Sequence, residues 1–376
     1  MDTFIKGKQD EMLELIERLV NIDSGSYDKE GVDKVGGILA EIYQELGFII
    51  EVIEQQDYGN HLVIKHKNAV DPKILLMAHM DTVFPKGTVA TRPFRIEGTR
   101  AFGPGVVDMK SSHVELIYAL MALQNAGDRS YENVKIVLNS DEEIGSPSSR
   151  SLIEQQSKGM HYALVVEPAR KDGSLVSARR GGGRYTLIVK GKAAHAGIEP
   201  EKGRSAIEAL AYKIIQLHGL TDHEKGISVN VGMIEGGSSV NTVSPSAIAH
   251  VDIRISEMVQ AAFLEEKIKE ICATSEVPGT KIIVEGEISR PPMEKTELTK
   301  ELLQIIQEVG KEIGVSVSDT ATGGGGDASF TAAKGVATVD GLGPVGGNAH
   351  SDSEYLEIPT LPERTLLLAK TIQALS

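Results

Sequence analysis

From 9 to 20 the apolar residues Met12, Leu13, Leu15, Ile16 and Val20 recur on one helical face, and a second amphipathic stretch covers about 31–46. Beyond it the texture changes to short apolar runs separated by helical segments. The order is 61–64, 74–78, a helix near 110–126, 134–138, a helix near 147–158, then 163–166. Buried strands alternating with helices predict an α/β domain with a mostly parallel sheet flanked by helices. Between 181 and 291 the pattern becomes strand 184–189, helix 203–218, strand 228–234, strand 247–255, helix 256–275 and strand 281–287. That βαββαβ order is the ferredoxin-like arrangement. It predicts an inserted domain, 181–291, between two parts of the first, 1–180 and 292–376, with Arg290-Pro291-Pro292 marking the return. A helix near 297–313, an apolar run at 336–339 and a helix near 361–374 complete the first domain.

The length of 376 residues exceeds one ordinary hydrophobic core, which agrees with two domains. With 41% hydrophobic and 24% charged residues, disorder is excluded for most of the chain. Subtracting 53 acidic from 39 basic residues leaves a formal charge of -14, which repels phosphate backbones and anionic lipid. Nucleic acid is a poor partner, and no stretch is apolar enough to span a membrane. The N-terminus lacks a continuous apolar h-region. One cysteine, Cys272, allows no internal disulfide and reads as a core residue of the helix 256–275, so a reducing, cytoplasmic location is expected.

In open α/β sheets ligands sit beyond the carboxyl ends of the strands, so the residues just past each apolar run matter. Run 74–78 leads into His79-Met80-Asp81; run 134–138 into Asn139-Ser140-Asp141-Glu142-Glu143; run 163–166 into Glu167; and run 336–339 into a glycine-rich loop reaching His350. One polar residue at a strand end is ordinary. Four such ends gather carboxylates at one edge, which is unfavourable unless cations neutralise them, and imidazole with carboxylate is a ligand set of zinc and its neighbours. A metal site is therefore predicted.

His79 and Asp81 stand two apart at a strand end and face one side, so Asp81 can orient the imidazole without being a ligand. Adjacent Glu142 and Glu143 do not easily reach the same atom, which allows one to bind metal while the other handles protons. A solvated acidic turn is their simpler reading. Asp108 comes after Gly103-Pro104-Gly105, a tight path before a helix; its simpler reading is a helix N-cap.

Together these segments resemble a family, the dinuclear zinc hydrolases of the glutamate carboxypeptidase, aminoacylase and succinyl-diaminopimelate desuccinylase group. The motifs are His79-Met80-Asp81-Thr82-Val83, Gly103 to Lys110, Asp141 to Ser146, Val166-Glu167-Pro168, His195-Ala196-Gly197 and His350-Ser351-Asp352. Within the group, bacterial glutamate carboxypeptidases look most similar. The resemblance implies two divalent ions, zinc first with cobalt or manganese as alternatives, held by His79, Asp108, Glu143, Glu167 and His350. Asp108 would bridge them, His79 and Glu167 completing one site and Glu143 and His350 the other. It implies further that Glu142 is the general base, that Asp81 orients His79, and that the peptide after Asp108 is cis. His195 would act from the neighbouring subunit of a homodimer formed through the inserted lid domain, which would open and close.

The resemblance also gives Arg254 and Asn241 to the substrate carboxylate, for which a forked guanidinium is the fitting donor. Gly325 and Gly326 would lie in a flexible loop beside the substrate, with Gly326 standing where close relatives commonly carry threonine. The remaining histidines, His61, His66, His113, His161, His218, His223 and His250, match no motif and read as structural or surface residues. Neither glycine-rich stretch fits a dinucleotide fingerprint or a phosphate loop.

The expected activity is hydrolysis of an amide bond by a metal-activated water, with release of a C-terminal, glutamate-like residue from a small peptide or N-acyl amino acid. An N-acyl amino acid deacylase or di/tripeptidase on the same scaffold is the alternative. A non-catalytic metal-dependent binding protein is disfavoured because Glu142 and every matched ligand are present.

Overall fold

The computed structural model describes residues 1–376, which divide into two compact units. The first comprises Met1–Ala178, Lys295–Thr322 and Gly326–Ser376; the second comprises Arg179–Glu294 and Gly323–Gly325.

The first unit is built on a six-stranded sheet, in spatial order Phe48–Ile53, His61–His66, Val134–Asn139, Ile74–His79, Tyr162–Val165 and Ala337–Val339. The last four strands run parallel, and the first two are added antiparallel at one edge. The central strands are apolar throughout because helices cover both faces; Ile74–His79 is buried at every position. Its register pairs His79 with Asn139, so these two strands end together, and Met77 with Val165, so the third stops two residues short. Helix Ser111–Asn125 is buried around most of its circumference, whereas Gln9–Val20 buries only the Met12, Ile16, Leu19 and Val20 stripe. Each such Leu or Ile contributes roughly 1.5–3 kcal/mol by leaving water.

The edge strand Phe48–Ile53 is not predicted by the sequence pattern. It is apolar at five of its six positions, but only Phe48 is buried, Glu51 interrupts the run, and it follows within two residues of the helix Lys29–Glu45, whose apolar stripe it continues. The helix expected near 147–158 is shorter, Arg150–Gln156, because the backbone N–H groups of Ser148 and Ser149 donate to the Asp141 carboxylate and hold the chain out of helix until then. Helix Glu297–Ile313 matches its expected limits, with Thr296 accepting from the Thr299 N–H at its start and Gly314 left-handed at its end.

The second unit has a four-stranded antiparallel sheet ordered Ser228–Gly236, Ser246–Ile255, Gly181–Lys190 and Lys281–Arg290, with helices Ala206–His218 and Val259–Ala273. This is the ferredoxin-like order. Cys272 is buried in its core, and burial pushes the thiol up to about 11. No helix of the protein is long and apolar enough to cross a membrane.

Candidate metal centre

All five proposed ligands lie in the first unit. His79 ends its strand; Glu143 sits on the short 3-10 turn Glu142–Ile144 after the strand Val134–Asn139; Glu167 lies two residues past Tyr162–Val165. Asp108 lies in the irregular turn Val106–Lys110, just before helix Ser111–Asn125, and the Asp108–Met109 peptide is cis. It does not cap that helix. His350 lies on the loop after Gly346–Gly347, in a left-handed conformation at φ +64 that a non-glycine residue seldom adopts.

The Asp108 carboxylate divides itself between two imidazoles. Its Oδ1 is 3.2 Å from His79 Nε2 and its Oδ2 is 3.2 Å from His350 Nε2. Glu167 Oε1 approaches His79 Nε2 at 3.4 Å, and Glu143 Oε2 approaches His350 Nε2 at 3.1 Å. Two imidazole–carboxylate clusters thus share one aspartate. Ligand atoms of His79, Asp108 and Glu143 lie within 4.8 Å of one another, as do those of His79, Glu142 and Glu167. Glu143 Oε1 is buried without a hydrogen-bond partner, an orphaned acceptor in a wall of acceptors. Such a donor set fits a pair of divalent cations.

The electrostatics agree. Burial alone would lower the His79 imidazole, yet Glu167, Asp108 and Asp81 hold it well above its ordinary value. Hydrogen bonds to Asp108 and then Glu143 lift His350 to about 10, and burial lifts Glu167 to about 7. In metal-free protein these groups therefore hold protons where a cation would sit. The His350 pairing stabilises the metal-free fold fully below the ordinary histidine value near 6.5, and loses that contribution as pH rises through about 10. A divalent ion must displace protons, so metal affinity should rise with pH by roughly a decade per unit for each proton released. Competition with a chelator between about pH 6 and pH 8 checks this; a flat profile would show the imidazoles already neutral.

Asp81 contacts both the His79 ring and the turn that carries Glu142 and Glu143. His79 Nδ1 lies 3.0 Å from the Asp81 carbonyl and 3.4 Å from its carboxylate, so backbone and side chain both hold the ring. The same carboxylate accepts the N–H groups of Glu142 and Glu143 at 3.2 Å and the Ser26 hydroxyl at 2.7 Å, fixing the turn that carries both acids. His113, which matches no motif, proves to be a neighbour of the centre. Its Nε2 meets the His79 carbonyl at 2.6 Å, and burial pushes its imidazole down to about 3, which keeps it neutral. Glu354, four residues past His350, is also missed by the sequence reading: it is 1% exposed and faces the backbone of the Asp108 loop. A cavity of about 440 Å³ borders the centre, lined by Tyr27, Thr82, Val83, Phe84, Glu143 and Ile144.

His195, Asn241, Arg254 and Gly325 lie in the second unit, and Gly326 begins the last segment of the first. His195 forms an isolated antiparallel bridge with Thr242, and its Nδ1 accepts from the Gly197 N–H. The Ala196 N–H donates to the Asn241 carbonyl, so residues 195–196 and 241–242 run side by side. Arg254 forms a two-point ion pair with Asp252 at 2.9 and 3.1 Å, the alternative role that an arginine on a sheet surface presents. Arg179 Nη1 donates to the carbonyls of Gly324 and Gly325.

Residues 75–374 match the model of peptidase family M20/M25/M40. The chain is 31% identical over 373 residues to carboxypeptidase G2 of Pseudomonas sp. strain RS-16, covering 98% of this chain and 90% of that protein. It is 30% identical over 254 residues to N-acetyl-L-citrulline deacetylase of Xanthomonas campestris pv. campestris, covering 62% of this chain and 64% of that one. Among solved structures, the aminopeptidase PepT of Bacillus cereus superposes with a TM-score of 0.81 at 22% identity, over 97% of this chain and 98% of that one.

Proposed function

The chain belongs to peptidase family M20/M25/M40, a family of metal-dependent hydrolases, and from that premise we propose that it is a carboxypeptidase releasing a C-terminal, glutamate-like residue from a small peptide or N-acyl conjugate. The observation that carries this is the Asp108 carboxylate shared by two imidazole–carboxylate clusters, with Glu142 at their edge. Similarity to a carboxypeptidase along nearly the whole of both chains favours this reaction over others of the family.

His79, Glu167 and Asp108 would hold one ion, and Asp108, Glu143 and His350 the other. When bound, the pair polarises the scissile carbonyl and makes a water acidic enough to lose its proton near neutral pH. Glu142 takes that proton and returns it to the departing amine. Asp81 keeps His79 and the Glu142–Glu143 turn in register. His195 of a neighbouring subunit donates to the carbonyl oxygen as it gains charge. Arg254, once exchanged from Asp252 to substrate, and Asn241 hold the free carboxylate, with the Gly325–Gly326 loop beside it. The cavity next to Glu143 takes the group on the other side of the scissile bond. Zinc, a homodimer through the second unit and a cytoplasmic location complete the reading; elemental analysis, sedimentation and cell fractionation check them.

The test is amine release from N-acetyl, N-aroyl and peptidyl glutamate and their aspartate and leucine counterparts, with zinc, cobalt or manganese added to apoprotein. Glutamate conjugates with bulky acyl groups should lead by tenfold or more, roughly what one well-filled pocket contributes. Preference for N-acetyl amino acids would instead support the deacylase reading, which similarity to the citrulline deacetylase favours.

A further inference from the structure

One buried carboxylate near the centre reaches no proposed ligand side chain, yet grips the backbone beside the shared one. Glu354 Oε1 accepts the N–H groups of Val107 at 2.9 Å and Asp108 at 3.0 Å, and its Oε2 accepts the Gly105 N–H at 3.2 Å. Three donors from four successive residues thus converge on one side chain. Gly105 is left-handed at φ +73, and a Cβ there would meet Thr82 Cγ2 at 2.6 Å, so the position requires glycine, whose freedom leaves the loop's path to be held by its partners.

Along the chain, Glu354 lies four residues past His350. It closes the turn that begins at the next residue, its N–H donating to the Ser351 carbonyl, and the strand after it, Tyr355–Glu357, pairs antiparallel with Arg100–Phe102. That pairing joins the segment leading out of the His350 loop to the segment leading into the Asp108 loop. Glu354 sits just past the last paired residues and fastens the two loops where the strands stop.

A buried acid beside carboxylates is costly unless the site gains from it. Only a carboxylate offers acceptors at both ends; glutamine would turn an NH2 toward a backbone N–H.

We propose that Glu354 is a positioning residue that presets the shared ligand Asp108 and ties it to His350, so that both metal sites depend on it. The inference rests on the metal-centre reading above. Because Asp108 serves both ions, loosening its loop should weaken both, whereas loss of a ligand private to one site should weaken one.

The experiment titrates cobalt into metal-free wild type, Glu354→Gln and Glu354→Asp, reading visible absorption of the bound ion and thermal unfolding with and without metal. Removing a group that orients a metal ligand typically lowers metal affinity 10–100-fold, and E354Q should show that loss at both equivalents with an altered cobalt spectrum, E354D less. Because bound metal stabilises with the logarithm of its affinity, the rise in Tm on adding cobalt should shrink in E354Q. Equal loss of Tm with and without metal, at unchanged affinity, would mark Glu354 as merely structural and overturn the proposal. Should both variants fail to fold, hydrogen exchange on metal-free wild type decides: Gly105, Val107 and Asp108 amides protected before metal arrives support presetting, and free exchange overturns it. If wild type takes up no cobalt, the metal-centre reading has failed; if wild type takes up two equivalents and E354Q matches it, only this inference has.

Discussion

Glu142→Gln is expected to leave both metal equivalents bound while turnover falls by roughly 10³-fold, within the range by which a positioned acid–base group accelerates a reaction. Glutamine keeps the shape and hydrogen-bonding reach of the side chain, but it neither takes a proton from water nor returns one to the leaving nitrogen. Both transfers pass through one carboxylate, so the loss should appear in kcat with KM nearly unchanged. The neighbour behaves oppositely. Glu143 directs Oε2 at His350 and leaves Oε1 buried without a partner, so Glu143→Gln should lose metal first and activity as a consequence. Side chains of successive residues on a short 3-10 turn diverge, which is how adjacent identical acids come to separate duties. Elemental analysis beside kcat for the two variants checks the assignment. A Glu142→Gln enzyme within tenfold of wild type would move the proton transfers to another group.

The strand ends that build the centre were legible because parallel strands covered on both faces leave unbroken apolar runs, and the residues after those runs stand out. His79, Glu142, Glu143 and Glu167 are such residues. The ferredoxin-like order was legible for a similar reason, its four strands and two helices being long enough to show their period. The strand Phe48–Ile53 escaped because Glu51 breaks its apolar run and the preceding helix ends only two residues before it, and Arg95–Glu97 and Arg100–Phe102 because three residues carry no period. Interactions that end on backbone escaped more thoroughly. The Glu354 carboxylate meets three N–H groups, the Asp81 carboxylate meets two, and His113 meets a carbonyl. A backbone group has no side-chain identity to read, so such a partner emerges only once the loops have a path. The one hint for Glu354 was its position four residues past His350.

The largest effect should come from Asp108→Asn. Asparagine preserves the shape but supplies one carbonyl oxygen and an NH2 where two anionic oxygens now face His79 and His350 at 3.2 Å each. An NH2 group donates hydrogen bonds and does not bind a cation, so whichever way the amide turns, one imidazole loses its oxygen partner. At most one ion should remain tightly held, and turnover should drop below that of Glu142→Gln, since losing the pair removes both carbonyl polarisation and acidification of water. A metal-free measurement separates this from general damage. Asp108 is the first of the groups holding the His350 imidazole up to about 10, so in D108N its titration should move down toward the ordinary histidine value, tracked by its ring proton resonance in metal-free protein. Two ions bound with wild-type affinity in D108N would end the bridging assignment. His79, Glu142 and Glu167, whose ligand atoms already lie within 4.8 Å of one another, would then be left to form a site of their own, and Glu142 would be a ligand and no longer a base.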